Sequence, residues 1–256
     1  MVHTVQSADG TSIAYERNGS GVPLIIVGGA LNNRQSAAGL VPLLADAFTV
    51  ITYDRRGRGD SSDTPPYAVE REIEDLRALA KAAGGAVQLY GHSSGAILSL
   101  EAAASGVPVD KVAAYEPPYL TRGGADESWR DFVDSVRSLA DGGDGGKAVE
   151  AFIRHTGADF DPAMAQAPWW PALVALAPTL PYDLTLAADG MVPTQRFSRI
   201  GAPVLALYGG ASPAWAEASA AAVAASVQDG RQQEVPEATH AVPHEAIAPI
   251  LLDFLG

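Results

Sequence analysis

Cysteine is absent from the 256-residue chain. Disulfide bonds, thiolate catalysis and cysteine-ligated metal sites are therefore excluded, although the absence does not fix a compartment. Basic residues are scarce, since 17 Lys and Arg face 30 Asp and Glu and leave a formal net charge of -13. Nucleic acids and anionic membranes reward clusters of Lys and Arg, so we expect neither as a partner and interpret the acidity as a contribution to solubility.

Long apolar runs are missing as well. The Ala-rich stretch near 216–225 is too short to span a bilayer, and its side chains are small. The opening residues, MVHTVQSADG, lack the basic segment followed by an apolar segment that marks a secretory signal, so we expect a cytoplasmic location. Because 47% of the residues are hydrophobic, the chain has enough apolar surface to bury a large core.

Strand-like and helix-like segments alternate along much of the chain. Continuous apolar runs such as PLIIV (23–27) and FTVITYD (48–54) predict buried parallel strands. The segment 67–85 repeats apolar residues at helical spacing up to Gly84, and 35–47 is typical of a helix interrupted near its middle.

The alternation stops after residue 116 and returns near residue 200. Between these points, prolines and helical patterns replace strand-like runs. We therefore predict a mostly parallel, doubly wound α/β sheet built from residues 1–116 and 200–256. A helical cap, residues 117–199, is expected as an insertion after the sixth strand.

A Gly-x-Ser-x-Gly motif, GHSSG, runs from Gly91 to Gly95 between a predicted strand and a predicted helix. Such a sharp turn strains the central serine, and the two glycines remove side chains that would clash. The turn lifts the Ser93 hydroxyl out of the sheet and directs the first N–H groups of the helix toward anything bonded to it. The motif thus predicts Ser93 as a nucleophile and the backbone N–H of Ser94 as an oxyanion donor.

This motif, together with VITYDRRGRGDSS (50–62) and EATHAVPHE (237–245), resembles α/β-hydrolase fold proteins with a cap domain, over nearly the whole length. The resemblance implies an oxyanion loop after the third strand, where this chain has VGGALNN with Gly28 in place of the usual histidine. It implies that the Ala30 N–H pairs with that of Ser94, and that Leu31 and Asn32 border the pocket. It implies neither a metal nor an organic cofactor.

The resemblance also implies a base and an acid, because a serine hydroxyl is a poor nucleophile until a base takes its proton. The base is expected at His240, in the loop before the last helix, with His244 as the alternative. The acid usually follows the seventh strand, but Ser212 stands there, and a serine cannot stabilise an imidazolium as a carboxylate does. Some relatives place the acid after the sixth strand, which predicts Glu116. Remoter candidates are Glu217 and Asp183.

Two further groups of residues remain open to interpretation. Arg55, Arg56 and Arg58 suit an anion site, but we expect them to brace their loop by pairing with acids such as Asp60. Most aromatic residues of the predicted cap are expected to pack between the cap and the sheet domain. Trp169 and Trp170 lie between Pro168 and Pro171, and we expect one ring of this pair to line the substrate pocket.

These expectations describe a serine hydrolase that cleaves an ester, thioester or related acyl bond of a small, largely apolar substrate through an acyl-enzyme. An alternative is the same scaffold used for C–C bond hydrolysis, cofactor-free peroxidation, or lyase or cyclase chemistry. A second alternative is a small-molecule binding protein without catalysis, which the serine at position 212 motivates.

Overall fold

The computed structural model describes residues 1–119, 126–156 and 159–256. Within them, eight strands form one sheet in the order β1-β2-β4-β3-β5-β6-β7-β8. Only the β1–β2 and β2–β4 pairs are antiparallel among the described pairs. The strands are β1 Val2–Gln6, β2 Ser12–Asn18, β3 Val22–Val27, β4 Phe48–Tyr53, β5 Val87–His92, β6 Val109–Tyr115, β7 Val204–Gly209 and β8 Gly230–Val235. The predicted, mostly parallel sheet is confirmed.

The helices lie between these strands in the sequence, except for the last one, which follows β8. In chain order they are α1 Val41–Leu44, α2 Val69–Ala83, α3 Ser94–Ala104, α4 Glu127–Asp141, α5 Gly145–His155, α6 Trp170–Val174, α7 Leu180–Ala187, α8 Thr194–Phe197, α9 Trp215–Ser226 and α10 His244–Leu255. The end of α2 is the predicted one, because Gly84 takes a φ of 107° that favours glycine.

The helix expected over 35–47 is shorter than predicted. A 3-10 helix at Arg34–Ala37, capped by the Asn33 side chain, comes first, and the four-residue α1 follows. Pro42 lies in the first turn of α1, where its missing N–H costs no hydrogen bond.

Helices cover both faces of the sheet, as a doubly wound arrangement requires. On one face, Leu76 and Leu79 of α2 and Ile97 of α3 pack against inward residues of the central strands. On the other face, Leu44 of α1 and Leu251 of α10 pack against the alternate residues of those strands. All of β4 is buried, which explains why its sequence is continuously apolar or β-branched.

Helices α4 to α8, here called the inserted helices, lie between β6 and β7. They have a hydrophobic cluster of their own, which includes Val136, Val149, Trp170 and Leu184. No strand occurs in the described part of 117–199, although 120–125 and 157–158 fall outside it. The exact division into core and cap stays a prediction. None of the described helices is long and apolar enough to cross a bilayer.

The carboxyl ends of β3, β5, β6 and β7 meet at one edge of the sheet, because these strands run parallel. Ligand sites of open α/β sheets form outside this edge. The close approach of α3 to β3 there depends on Gly95, because a Cβ at this position would lie 2.1 Å from the Val27 carbonyl oxygen.

Gly95→Ala is expected to destabilise the fold by roughly 1–3 kcal/mol or more, since two backbone segments would have to move apart. Urea unfolding measures the free energy. Gly201→Ala is the matched control, because a Cβ on Gly201 meets no atom within 4 Å. Equal unfolding free energies for the two variants would contradict the close approach.

Candidate active site

Ser93 occupies a strained turn between β5 and α3. Its φ of 58° and ψ of -126° are unusual for a residue with a side chain. The turn is held by the Ser93 N–H, which donates to the Tyr115 carbonyl at 2.9 Å. Gly91 is required, because a Cβ there would lie 2.4 Å from the Gly95 carbonyl oxygen. The local geometry is that of the sharp strand-to-helix turn the motif predicts.

His240 and Glu116 meet beside this turn. The Nδ1 of His240 lies 2.6 Å from the Oε2 of Glu116. The other carboxylate oxygen accepts the Gly209 N–H at 2.8 Å. Glu116 is fully buried and has a positive φ of 46°, which turns its side chain at the end of β6.

The surroundings of Glu116 keep it ionised. Burial by itself would raise its pKa, but hydrogen bonds from His240 and the Gly209 N–H, together with the nearby Ser212 hydroxyl, outweigh burial and hold the pKa of Glu116 below its ordinary value. The Ser212 hydroxyl is buried beside the carboxylate and has no hydrogen-bond partner among the described residues. A buried carboxylate that stays charged suits the orientation of an imidazole.

Two hydrogen bonds fix the loop that carries His240. The Tyr115 hydroxyl donates to the Thr239 carbonyl at 2.6 Å. The Nε2 of His92 lies 2.8 Å from the His240 carbonyl oxygen, to which it donates as the neutral tautomer. Burial and the nearby His240 lower the pKa of His92 to about 4. The two imidazole centroids are 4.8 Å apart, so His240 lies next to the turn that holds Ser93.

The other candidates for base and acid lie elsewhere. His244 begins α10 and faces Gly39, whose Cβ would lie 2.3 Å from its Nδ1. Glu217 is exposed on α9. Asp183 of α7 is held by two arginines rather than by a histidine. Among the described residues, Glu116 is the carboxylate that reaches His240.

The predicted oxyanion donors belong to Ser94, which follows Ser93, and to Ala30, which follows Gly29. Gly29 is so close that a Cβ would be 2.8 Å from the Ser93 Cβ. Neither the Ala30 N–H nor the Ser94 N–H has a hydrogen-bond acceptor within the described part of the chain. Free N–H groups at the start of a helix favour a developing negative charge.

A family model described as the alpha/beta hydrolase family matches residues 24–249 of the chain. The chain belongs to the alpha/beta hydrolase family.

Several proteins are similar to this chain in sequence or in structure. An alpha/beta hydrolase of solved structure from Sphaerobacter thermophilus is 48% identical, with a TM-score of 0.89 over 99% of this chain and 100% of that one. A bromoperoxidase from Bacillus anthracis, 21% identical with a TM-score of 0.80 over 100% of this chain and 99% of that one, shows the fold alone. YraK, an uncharacterised hydrolase of Bacillus subtilis, is 34% identical over 36% of this chain and 35% of its own length. The match thus spans about a third of that curated relative.

The arginines of this alpha/beta hydrolase brace their loop, but through other partners than predicted. Asp60 pairs with Arg34 at 2.6 Å and not with the three loop arginines. Arg55 and Arg58 both bind Asp183, and Arg56 binds Asp75. The expectation for Asp60 was therefore wrong. Because each arginine is already paired, none is left to hold an anion.

The residues predicted to line the pocket differ in their burial and in their contacts. Ala30 and Leu31 pack against the cluster of the inserted helices, and Leu31 has a positive φ of 57°. Asn32 donates its side-chain amide to the Ala30 carbonyl at 2.9 Å. Trp170 is buried in that cluster, whereas 51% of Trp169 is exposed. A substrate-binding role for either tryptophan stays a prediction.

The depressed pKa of Glu116 makes its contribution to stability pH-dependent. A carboxylate with a lowered folded pKa stabilises the fold above its unfolded pKa of about 4.3, and this contribution is lost as the pH falls through the folded pKa. We therefore expect Glu116→Gln to lower the Tm at pH 7, with the difference from the unsubstituted protein shrinking below about pH 4. Thermal unfolding from pH 7 to pH 3 measures it.

Glu217→Gln serves as the control, because it removes an exposed carboxylate at the start of α9. A Glu116→Gln difference that stayed constant down to pH 3, or one matched by the control, would contradict the charged state assigned to Glu116.

Proposed function

We propose that this alpha/beta hydrolase is a serine hydrolase that cleaves an ester, thioester or related acyl bond of a small, largely apolar substrate through an acyl-enzyme. The observation that carries the proposal is the 2.6 Å contact between His240 and Glu116 beside the strained Ser93 turn. A nucleophile, a base and an orienting acid are then supplied by the segments that follow three parallel strands, β5 for Ser93, β8 for His240 and β6 for Glu116.

In the first half of the reaction, the Ser93 Oγ attacks the acyl carbon while the Nε2 of His240 takes its proton. Glu116 stabilises the imidazolium that forms, through the Nδ1–H. The carbonyl oxygen becomes an oxyanion held by the N–H groups of Ala30 and Ser94. The bond to the leaving group then breaks, and His240 delivers the proton to that group.

In the second half, water replaces the leaving group. His240 removes a proton from the water, which attacks the acyl carbon, and the same two N–H groups hold the second oxyanion. The Ser93–acyl bond breaks, Ser93 regains its proton from His240, and the free acid leaves. Apart from the substrate and this water, these steps use side chains and backbone groups of the chain.

The apolar preference is supported by the neighbours of the oxyanion loop. Ala30 and Leu31 pack against the apolar cluster of the inserted helices, which also contains Phe160 and Trp170. The loop arginines are neutralised by carboxylates and therefore do not favour an anionic substrate. A cytoplasmic location and the expected lack of nucleic-acid or membrane partners stay predictions from the sequence.

Ser93→Ala is expected to lower kcat for a 4-nitrophenyl ester by roughly 10⁶-fold, because the acyl-enzyme cannot form. A fluorophosphonate probe should label the unsubstituted protein at Ser93 and leave the variant unlabelled. Ser198→Ala, which removes an exposed hydroxyl that bonds its own helix, should keep both properties. Full esterase activity in Ser93→Ala would refute the mechanism, and an unlabelled wild type that binds small ligands without turnover would favour the binding-protein alternative.

Glu116→Gln is expected to lower kcat by ~10⁴, the cost of losing the acid in a serine triad. Because Ser212 lies beside this carboxylate, the double variant Glu116→Gln, Ser212→Asp should regain part of the loss. Steady-state kinetics of both variants and of Ser212→Asp alone test this. Near-normal kcat in Glu116→Gln would exclude Glu116 as the acid.

A further inference from the structure

Arg58 lies directly beneath the loop that carries the predicted oxyanion donor Ala30. Its Nη1 donates to the carbonyl oxygen of Gly29 at 2.6 Å and to that of Asn32 at 3.1 Å. The side chain is only 1% exposed. One buried guanidinium thus binds the carbonyls at the two ends of the segment 29–32, which contains the Ala30 N–H.

Asp183 connects this arginine to the other side of the oxyanion hole. Its Oδ2 accepts from the Nη2 of Arg58 at 2.7 Å. Its Oδ1 accepts from the Ser94 hydroxyl at 2.7 Å and from the Nη1 of Arg55 at 2.6 Å. Asp183 belongs to α7, one of the inserted helices, whereas Ser94 begins α3. The Asp183 carboxylate therefore links the inserted helices directly to Ser94 and, through Arg58, to the loop that carries Ala30.

The charges of this cluster are balanced and have little contact with water. Arg55 also makes a bidentate contact with Glu72, with both distances at 2.6 Å. Two guanidinium groups thus face two carboxylates, and all four side chains are at most 3% exposed. Burial favours the neutral form of Asp183, but Arg58 and Arg55 outweigh burial and keep its pKa below the ordinary value. Removing the Asp183 charge would leave an excess positive charge in a buried site.

We propose that Asp183 is a positioning residue for the oxyanion hole, which it holds from the inserted helices. Asp183 positions the Ala30 N–H through Arg58, and it positions the Ser94 N–H through its hydrogen bond with the Ser94 hydroxyl. The inference rests on the proposed function, because it assigns these two N–H groups to a developing oxyanion. Donors in such a hole must be placed to within about 0.5 Å, so a helix that anchors both sides controls the hole without touching the substrate.

The first test is Asp183→Asn, which keeps the size of the side chain and removes its charge. Loss of one oxyanion donor costs about 10²–10³ in kcat, so misplacement of both is expected to lower kcat by roughly 10–100-fold with little change in KM. The affinity of a small alkylboronic acid, whose tetrahedral adduct on Ser93 places an oxygen in the hole, should fall by a similar factor. The affinity of the alcohol product should not change.

Asp75→Asn is the matched control. Asp75 makes a buried bidentate contact with Arg56, at 2.9 and 2.8 Å. Arg56 belongs to the same loop as Arg55 and Arg58, but among the described residues its side chain makes no hydrogen bond to the oxyanion loop. Both variants leave a buried arginine short of its carboxylate and should lose stability. Only Asp183→Asn should lose boronate affinity and kcat. Equal catalytic losses in the two variants would reduce Asp183 to a structural ion pair and overturn the inference.

Ser94→Ala provides a second test that does not disturb the charge balance. The variant retains the Ser94 N–H and loses only the hydroxyl that reaches Asp183. We expect a smaller loss of kcat and boronate affinity in the same direction, whereas Ser226→Ala, which removes a buried hydroxyl bonded within α9, should cause none. Folded Ser94→Ala with the boronate affinity of the unsubstituted protein would contradict the link to Asp183.

The fluorophosphonate reaction separates the two proposals. If the unsubstituted protein is labelled at Ser93 while the Asp183 and Ser94 variants show normal labelling rates, kcat and boronate affinity, the serine mechanism stands and the positioning role fails. If the unsubstituted protein is neither labelled nor active on esters, the proposed function fails, and with it the oxyanion hole that Asp183 would position.

Discussion

The register of three parallel strands is the constraint on which the site depends. His92 of β5 lies opposite Tyr115 of β6, and Tyr115 lies opposite Leu207 of β7. The residues that follow these strands, including Ser93 and Glu116, therefore emerge side by side at one edge. A shift of one residue in the β5–β6 pairing would turn alternate side chains to the other face and separate the nucleophile from the acid.

The same edge concentrates backbone strain. Ser93 and Glu116 both have positive φ values, of 58° and 46°, although neither is glycine. Such conformations persist only where the surroundings determine them. Here the surroundings are hydrogen bonds between neighbouring strands, since the Ser93 N–H donates to Tyr115 and the Glu116 N–H donates to Leu207, each at 2.9 Å. Strain and register thus reinforce one another, and both place reactive side chains outside the sheet.

Much of this arrangement could be predicted from the sequence, because its signals are local. Apolar runs predicted the central strands, and GHSSG predicted the turn at Ser93. The proximity of Glu116 to His240 needed one more step, namely that strand ends of a parallel sheet meet at a common edge. The unusual Ser212 pointed to it, since a missing carboxylate after β7 calls for another nearby.

The partners of the loop arginines were beyond local reasoning. Arg55 and Asp183 are 128 positions apart, whereas the expected partner, Asp60, belongs to the same loop as the arginines and pairs with Arg34 instead. A signal was nevertheless present: three arginines beside a buried strand must find carboxylates wherever the fold supplies them. The short α1 shows the opposite limit, where Asn33 and Pro42 set local ends within a pattern that otherwise resembles one longer helix.

The uncharged state of His92 has a consequence for the acid tolerance of the protein. Its pKa of about 4 in the folded chain lies below the value of about 6.5 expected for an unfolded one. Between these two pH values His92 is protonated in the unfolded chain and neutral in the folded chain. The free energy of unfolding therefore decreases as the pH falls through that interval. The histidine that tethers the His240 loop thereby makes the junction between nucleophile and base sensitive to mildly acidic surroundings.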